Sequence, residues 1–203
     1  MPALITLAVT LLRMVGELRG WSPALFRPQA GGGAALVGIV WLVPVFGIYF
    51  AFQLAARGQA PPRPLRAAGL ALLAFALNSL ALLAVVTLLR PSVSTTLLAL
   101  GASSWVAILV ARRGWPELGR TLLAYAFAAR IPVVFVMLAA ITGNWGTHYD
   151  ELPPNAPEIA ALTPVGKWLW IGVLPQMTVW IYVTVVGGLL FGGLALSLKR
   201  RFA

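Results

Sequence analysis

Five apolar runs, each close to the length that crosses a bilayer, dominate this chain. They fall at about 34–55, 67–89, 93–111, 120–142 and 168–196. Crossing about 30 Å of hydrocarbon takes roughly 20 helical residues at about 1.5 Å each. In lipid the backbone has no water to bond with, so each run must close its hydrogen bonds internally, as a helix. Composition agrees: 60% of the residues are hydrophobic, 10% are charged and mean hydropathy is +0.90. The fold class expected is all-α, a polytopic membrane bundle of five transmembrane helices over 34–198.

Residues 4–18 are also helical in pattern but differ in kind. Thr6, Thr10, Arg13 and Glu17 are spaced four, three and four apart, which places them on one stripe of an otherwise apolar helix. With Gly20 ending it and Trp21 at headgroup level, residues 1–21 read as an amphipathic helix lying in the interface. The alternative is a helix docked on the bundle. No basic region precedes its apolar run, so it does not read as a secretory signal. A Pro/Gly linker follows at 22–33, SPALFRPQAGGG.

Fifteen Lys and Arg against five Asp and Glu give a net charge of +10. The basic residues sit between apolar runs, as in proteins oriented by their charges in a membrane, and nucleic-acid binding is not expected. Arg57, Arg63 and Arg66, then Arg112, Arg113 and Arg120, then Lys199, Arg200 and Arg201 share one side in a five-span chain. That side is assigned to the cytoplasm, with the C-terminus, in a bacterial inner membrane. Loop 143–167 is then outside. Arg13, Arg19 and Arg27 conflict with this, because they also fall outside unless span one is a hairpin broken at Pro44.

Two places carry candidate chemistry. The first is GNWGTHYDELPP (143–154), with the chain's only histidine, His148, beside Asp150 and Glu151. Imidazole and carboxylates are metal ligands and acid–base groups. One histidine and two adjacent acids nevertheless fall short of a zinc set, and no Ser or Cys nucleophile adjoins them. The plain alternative is an ordered external loop turned by its glycines and asparagines, with Trp145 and Tyr149 at the interface. No metal, cofactor or catalytic residue is assigned.

The second place lies inside the spans. Arg130 is near the middle of its run, too deep to be trimmed out of the membrane. No span holds a carboxylate to pair with it. Asn78, Ser103, Ser104 and Tyr125, with Gln176, are the polar side chains available to join it in an anion or lipid-phosphate site. The alternative, for Arg130 as for the neutral members, is interhelical hydrogen bonding. Gly188 and Gly192 form a GxxxG that favours close helix packing, within the bundle or in a homodimer. With no cysteine, disulfides and thiolate sites are excluded.

The stretch RTLLAYAFAARIP (120–132), with Ala124, Tyr125 and Pro132, resembles the segment of Yip-type membrane proteins that opens a transmembrane helix. That resemblance implies a non-enzymatic membrane protein with lipid or protein partners. It carries over no catalytic residues. The functional expectation is an integral membrane protein that organises lipids or another membrane protein. The alternatives are a small transporter or channel subunit centred on Arg130, and a surface enzyme using His148, Asp150 and Glu151.

Overall fold

The computed structural model describes residues 1–28 and 35–202. Part of the 22–33 linker, including its three glycines, lies outside the described residues. Those described form helices and connecting turns, with no strand among them. In order they are α1 (Pro2–Leu18), α2 (Leu42–Ala56), α3 (Pro64–Leu89), α4 (Val93–Ala111) and α5 (Pro116–Gly143). A single turn at Pro157–Ala160 and a long C-terminal helix complete the chain.

Four segments are long and apolar enough to cross a membrane: Pro64–Leu89, Val93–Gly114, Pro116–Gly143 and Pro164–Phe202. The expected fifth, over 34–55, is shorter. Its helix begins at Leu42 and runs for 15 residues, about 22 Å, which is less than the hydrocarbon thickness. Pro44 is the third residue of α2. There its missing N–H costs nothing, because the first four helical N–H groups have no intrahelical acceptor. It starts this helix instead of kinking a longer one.

The C-terminal helix is the axis of the bundle, packing along α2 and α3 and also touching α4 and α5. Its Ile181, Val185 and Leu189 share a core with Leu118, Leu122 and Ala126 of α5 and with Ala67 and Ala71 of α3. The Gly188/Gly192 pair faces inward. A Cβ on Gly47 of α2 would stand 2.6 Å from the Gly188 Cα, and one on Gly192 would stand 2.7 Å from the Gly47 carbonyl oxygen. The motif therefore seats α2 within one chain. The same face is not open for the homodimer that the sequence allowed.

The helix is irregular over its first third. A π-helical segment, Trp168–Val173, precedes Pro175, and Thr178 leaves helical geometry at φ −125°, ψ −77°. Pro175 cannot donate to the Ile171 carbonyl, which loosens the turn before it.

The connections gather at two ends. Trp115 is fully buried, and its Nε1 donates to the Gln59 carbonyl at 2.9 Å. Arg200 donates to the carbonyls of Pro61 and Pro62 at 3.1 and 3.2 Å. The loop after α2, the turn after α4 and the C-terminal tail thus meet at one basic end. At the other end lie the 144–163 connection and the last turn of α1.

α1 does not have the outward-facing polar stripe of an interfacial helix. Thr6, Thr10, Arg13 and Gly16 are buried, while Leu4, Ile5, Leu11, Leu12, Val15 and Leu18 are exposed. The helix is docked along α5, with its polar face inward and its apolar face outward. Water cannot satisfy that stripe, so the protein must.

Candidate functional site

The GNWGTHYDELPP segment folds into a turn organised by Asp150. Its Oδ2 accepts from the Gly146 N–H at 2.8 Å, and its Oδ1 accepts from the Thr147 N–H and hydroxyl, each at 2.7 Å. Asn144 and Asn155 hold left-handed turns with φ of 50° and 59°, a conformation asparagine tolerates well. Glu151 is exposed, and Glu158 accepts from the Ser94 N–H at the start of α4, at 3.2 Å. The loop acids therefore diverge, and no group of three His, Asp or Glu able to hold a metal gathers among the described residues. His148, Asp150 and Glu151 do not form one ligand set.

His148 instead meets α1. Both Glu17 carboxylate oxygens lie 2.7 and 2.8 Å from its Nδ1, and Oε2 also accepts from the His148 backbone N–H at 2.9 Å. Arg13, one helical turn before Glu17, donates its Nε to Oε1 at 2.7 Å and another N–H to the Arg27 carbonyl at 3.0 Å. The Glu17 side chain is fully buried. Burial alone would raise its pKa. Hydrogen bonds from His148 and Arg13, with the charge of His148, outweigh that and hold it below the ordinary carboxylate value. Burial pushes His148 below the ordinary imidazole value, the hydrogen bond to Glu17 opposes this, and the Arg13 charge adds to it. A carboxylate can only accept, so Nδ1 of His148 carries a proton and donates to Glu17.

The rest of the α1 stripe continues the junction. Thr10 donates to the Thr6 carbonyl at 2.9 Å, Tyr149 donates to the Thr10 carbonyl at 3.0 Å, and the Thr6 and Tyr125 hydroxyls lie 2.7 Å apart. α1 thus runs beside α5 from Tyr125 to the loop end.

This docking encloses a cavity of about 220 Å³. Arg13, Arg130, His148, Glu151 and Gln176 are among its polar wall, and Val133, Met137, Ile171 and Trp180 are among its apolar wall. Arg130 is 3% exposed and lies about 20 Å from the end of α5. Its guanidinium reaches Gln176 Oε1 at a long 3.4 Å and stacks over the Trp180 ring at 4.8 Å. Among the described residues no carboxylate pairs with it. The charge of Arg13 is balanced by Glu17, whereas that of Arg130 has only an amide and an aromatic face. An arginine at mid-membrane costs about 3 kcal/mol on insertion scales.

The other predicted members stand apart. Asn78, Ser103, Ser104 and Tyr125 do not line this cavity. Ser103 donates back to the Leu100 carbonyl at 3.1 Å. Asn78 and Ser104 are buried, and among the described residues neither Asn78 Oδ1 nor Ser104 Oγ has a hydrogen-bond partner. Tyr125 serves the α1 contact. Arg13, Glu17 and Trp180 belong to the site but were not singled out from sequence. The stripe that signalled the first two was present, but it was assigned to water.

No known family model, curated protein or solved structure matches this chain.

Proposed function

We propose that this is an integral membrane protein that organises lipid by holding an anionic headgroup at Arg130. One observation carries the reading. A buried guanidinium, unpaired by any carboxylate among the described residues, forms part of the wall of a cavity that is otherwise largely apolar. A full charge is a costly way to join helices that neutral hydrogen bonds would join, and an anion compensates it. The apolar wall suits a ligand whose remainder is hydrocarbon. Closure of the opposite half by Trp115, Leu118 and Leu122, all fully buried, favours holding a ligand over passing it through. Divergence of the loop acids favours a non-enzymatic role, in line with the Yip-type resemblance and with lipid or membrane-protein partners.

In this reading the four long helices and α2 make five spans in a bacterial inner membrane. The basic end is cytoplasmic by the positive-inside rule. Loop 143–167 is outside and the cavity lies toward the outer leaflet.

The test is a native mass spectrum of the protein released from mild detergent, beside Arg130→Gln and an Asn78→Ala control. Retention of an anionic phospholipid by the wild type and the control, lost in Arg130→Gln, is expected. Equal retention by all three would place the lipid elsewhere. A lipid-free wild type would overturn the reading.

A further inference from the structure

The basic end of the bundle carries a second charged place, remote from Arg130. Arg63 and Arg66, at the start of α3, and Arg200 and Arg201, in the last turn of the C-terminal helix, line one open cleft of about 540 Å³. Arg200 ties the two chain segments together, because one of its nitrogens donates to the carbonyls of Pro61 and Pro62 at 3.1 and 3.2 Å. Four like charges held at one cleft repel each other unless something of opposite sign offsets them. The one acid at this end, Glu117, pairs with Arg120 at 3.2 Å. Among the described residues no carboxylate pairs with any of the four cleft arginines.

We infer that this cleft binds the phosphomonoester headgroup of a membrane lipid, with Arg63, Arg66 and Arg201 taking the phosphate and Arg200 holding the two segments in place. A monoester phosphate carries a charge of about −1.5 to −2 and three free oxygens. A diester offers a single charge and fewer free oxygens. Guanidinium forks pair with phosphate oxygens, so several forks at one cleft match the monoester better. Leu65 is also on the wall; it is exposed and opens the apolar segment Pro64–Leu89. Phe202, next to Arg201, is exposed as well. Guanidiniums beside outward-facing apolar side chains at the end of a span lie at headgroup depth, which favours a lipid over free phosphate. The inference stands apart from the Arg130 site and does not need it.

The experiment uses the full chain carrying Arg130→Gln, so that the first site does not contribute. It is placed in phosphatidylcholine nanodiscs with equal amounts of phosphatidic acid and phosphatidylglycerol of the same acyl chains. Lipid retained after release is counted by native mass spectrometry. Phosphatidic acid should be retained about tenfold over phosphatidylglycerol, the worth of one additional hydrogen bond to a charged group. Adding Arg63→Gln/Arg66→Gln should remove that preference. Adding Arg57→Gln/Arg113→Gln takes the same charge from the same end but outside the cleft, and should leave the preference intact. Excess inorganic phosphate should not displace the lipid.

Equal retention of the two anionic lipids, or an equal loss in both double variants, would reduce the cleft to part of a diffuse basic surface and overturn the inference. Displacement by inorganic phosphate would overturn the lipid as the ligand. Should the Arg63/Arg66 variant fail to fold, Arg201→Gln on the exposed last turn takes its place, with the same loss of preference expected. None of these outcomes depends on whether Arg130 holds a lipid.

Discussion

The two halves of this bundle are joined by opposite means. Toward the basic end, α2, α5 and the C-terminal helix meet through glycine and alanine, with Gly47 and Gly188 in backbone contact. Toward the loop end, α1, α5 and the 144–151 turn meet through hydrogen bonds of Thr6, Thr10, Glu17 and His148. The first joint has no room for another methyl group. The second encloses a cavity of about 220 Å³. Lipid tails are as apolar as leucine, so helices in a membrane hold together by close approach or by polar contact. This chain uses close approach where it needs rigidity and polar contact where it keeps a space.

The sharpest break of that contrast is Gly47→Val. The new side chain meets Gly188 backbone, which cannot swing aside, so a loss of about 3 kcal/mol or more is expected in unfolding from mixed micelles. Survival with unchanged stability would show that the joint is loose. Glu17→Ala acts on the other half. It removes the acceptor for Arg13 and for two groups of His148, at a cost of about 3 kcal/mol. Hydrogen exchange should rise in 145–151 and in α1 while α3 and α4 stay protected. A uniform rise would mean that the two joints are one cooperative unit.

A third substitution separates stability from function. Arg130→Met removes a buried charge that has no carboxylate partner, so the lipid-free protein should gain about 1–2 kcal/mol while losing anionic lipid. A loss of stability instead would assign Arg130 to the framework of the bundle. The smallest effect concerns acidity. His148 lies among Glu17, Arg13, Asp150, Tyr149, Arg130 and Glu151. Its pKa is depressed on folding from an ordinary 6.5, so below about 6.5 the unfolded chain takes up a proton that the folded one refuses. Stability should fall as pH drops through 6.5 and level off below the folded value. Glu17, depressed from 4.5, adds a further loss in stronger acid. A melting temperature flat from pH 7.5 to 5.5 would contradict the assignment, and His148→Asn should flatten the wild-type slope.

Much of this was legible in the residues, for stated reasons. Four long apolar runs are readable because lipid admits only helices. Arg130 stood out because a charge at that depth needs a cause. The first run was drawn too long because hydropathy does not record that Pro44 is best placed at a helix start. The stripe on α1 was seen, but one chain's periodicity does not say whether a polar face turns to water or to a polar cavity. His148 was noticed for the wrong neighbours. Asp150 and Glu151 are adjacent in sequence, yet its partner is Glu17, 131 positions away. Asn78 and Ser104 share the spans with Arg130, and depth alone does not reveal which helix faces converge.

The docking of α1 is the point on which the cavity depends. The chain has no cysteine, so a pair introduced at Glu17 and His148 can be tested in native membranes with a short thiol cross-linker. The account predicts rapid linkage of Glu17→Cys/His148→Cys and none of Leu11→Cys/His148→Cys, whose first residue lies on the exposed face of α1. Failure of the first pair to link, with Glu17→Cys labelled readily by an aqueous maleimide, would return α1 to the interface and remove a wall of the site.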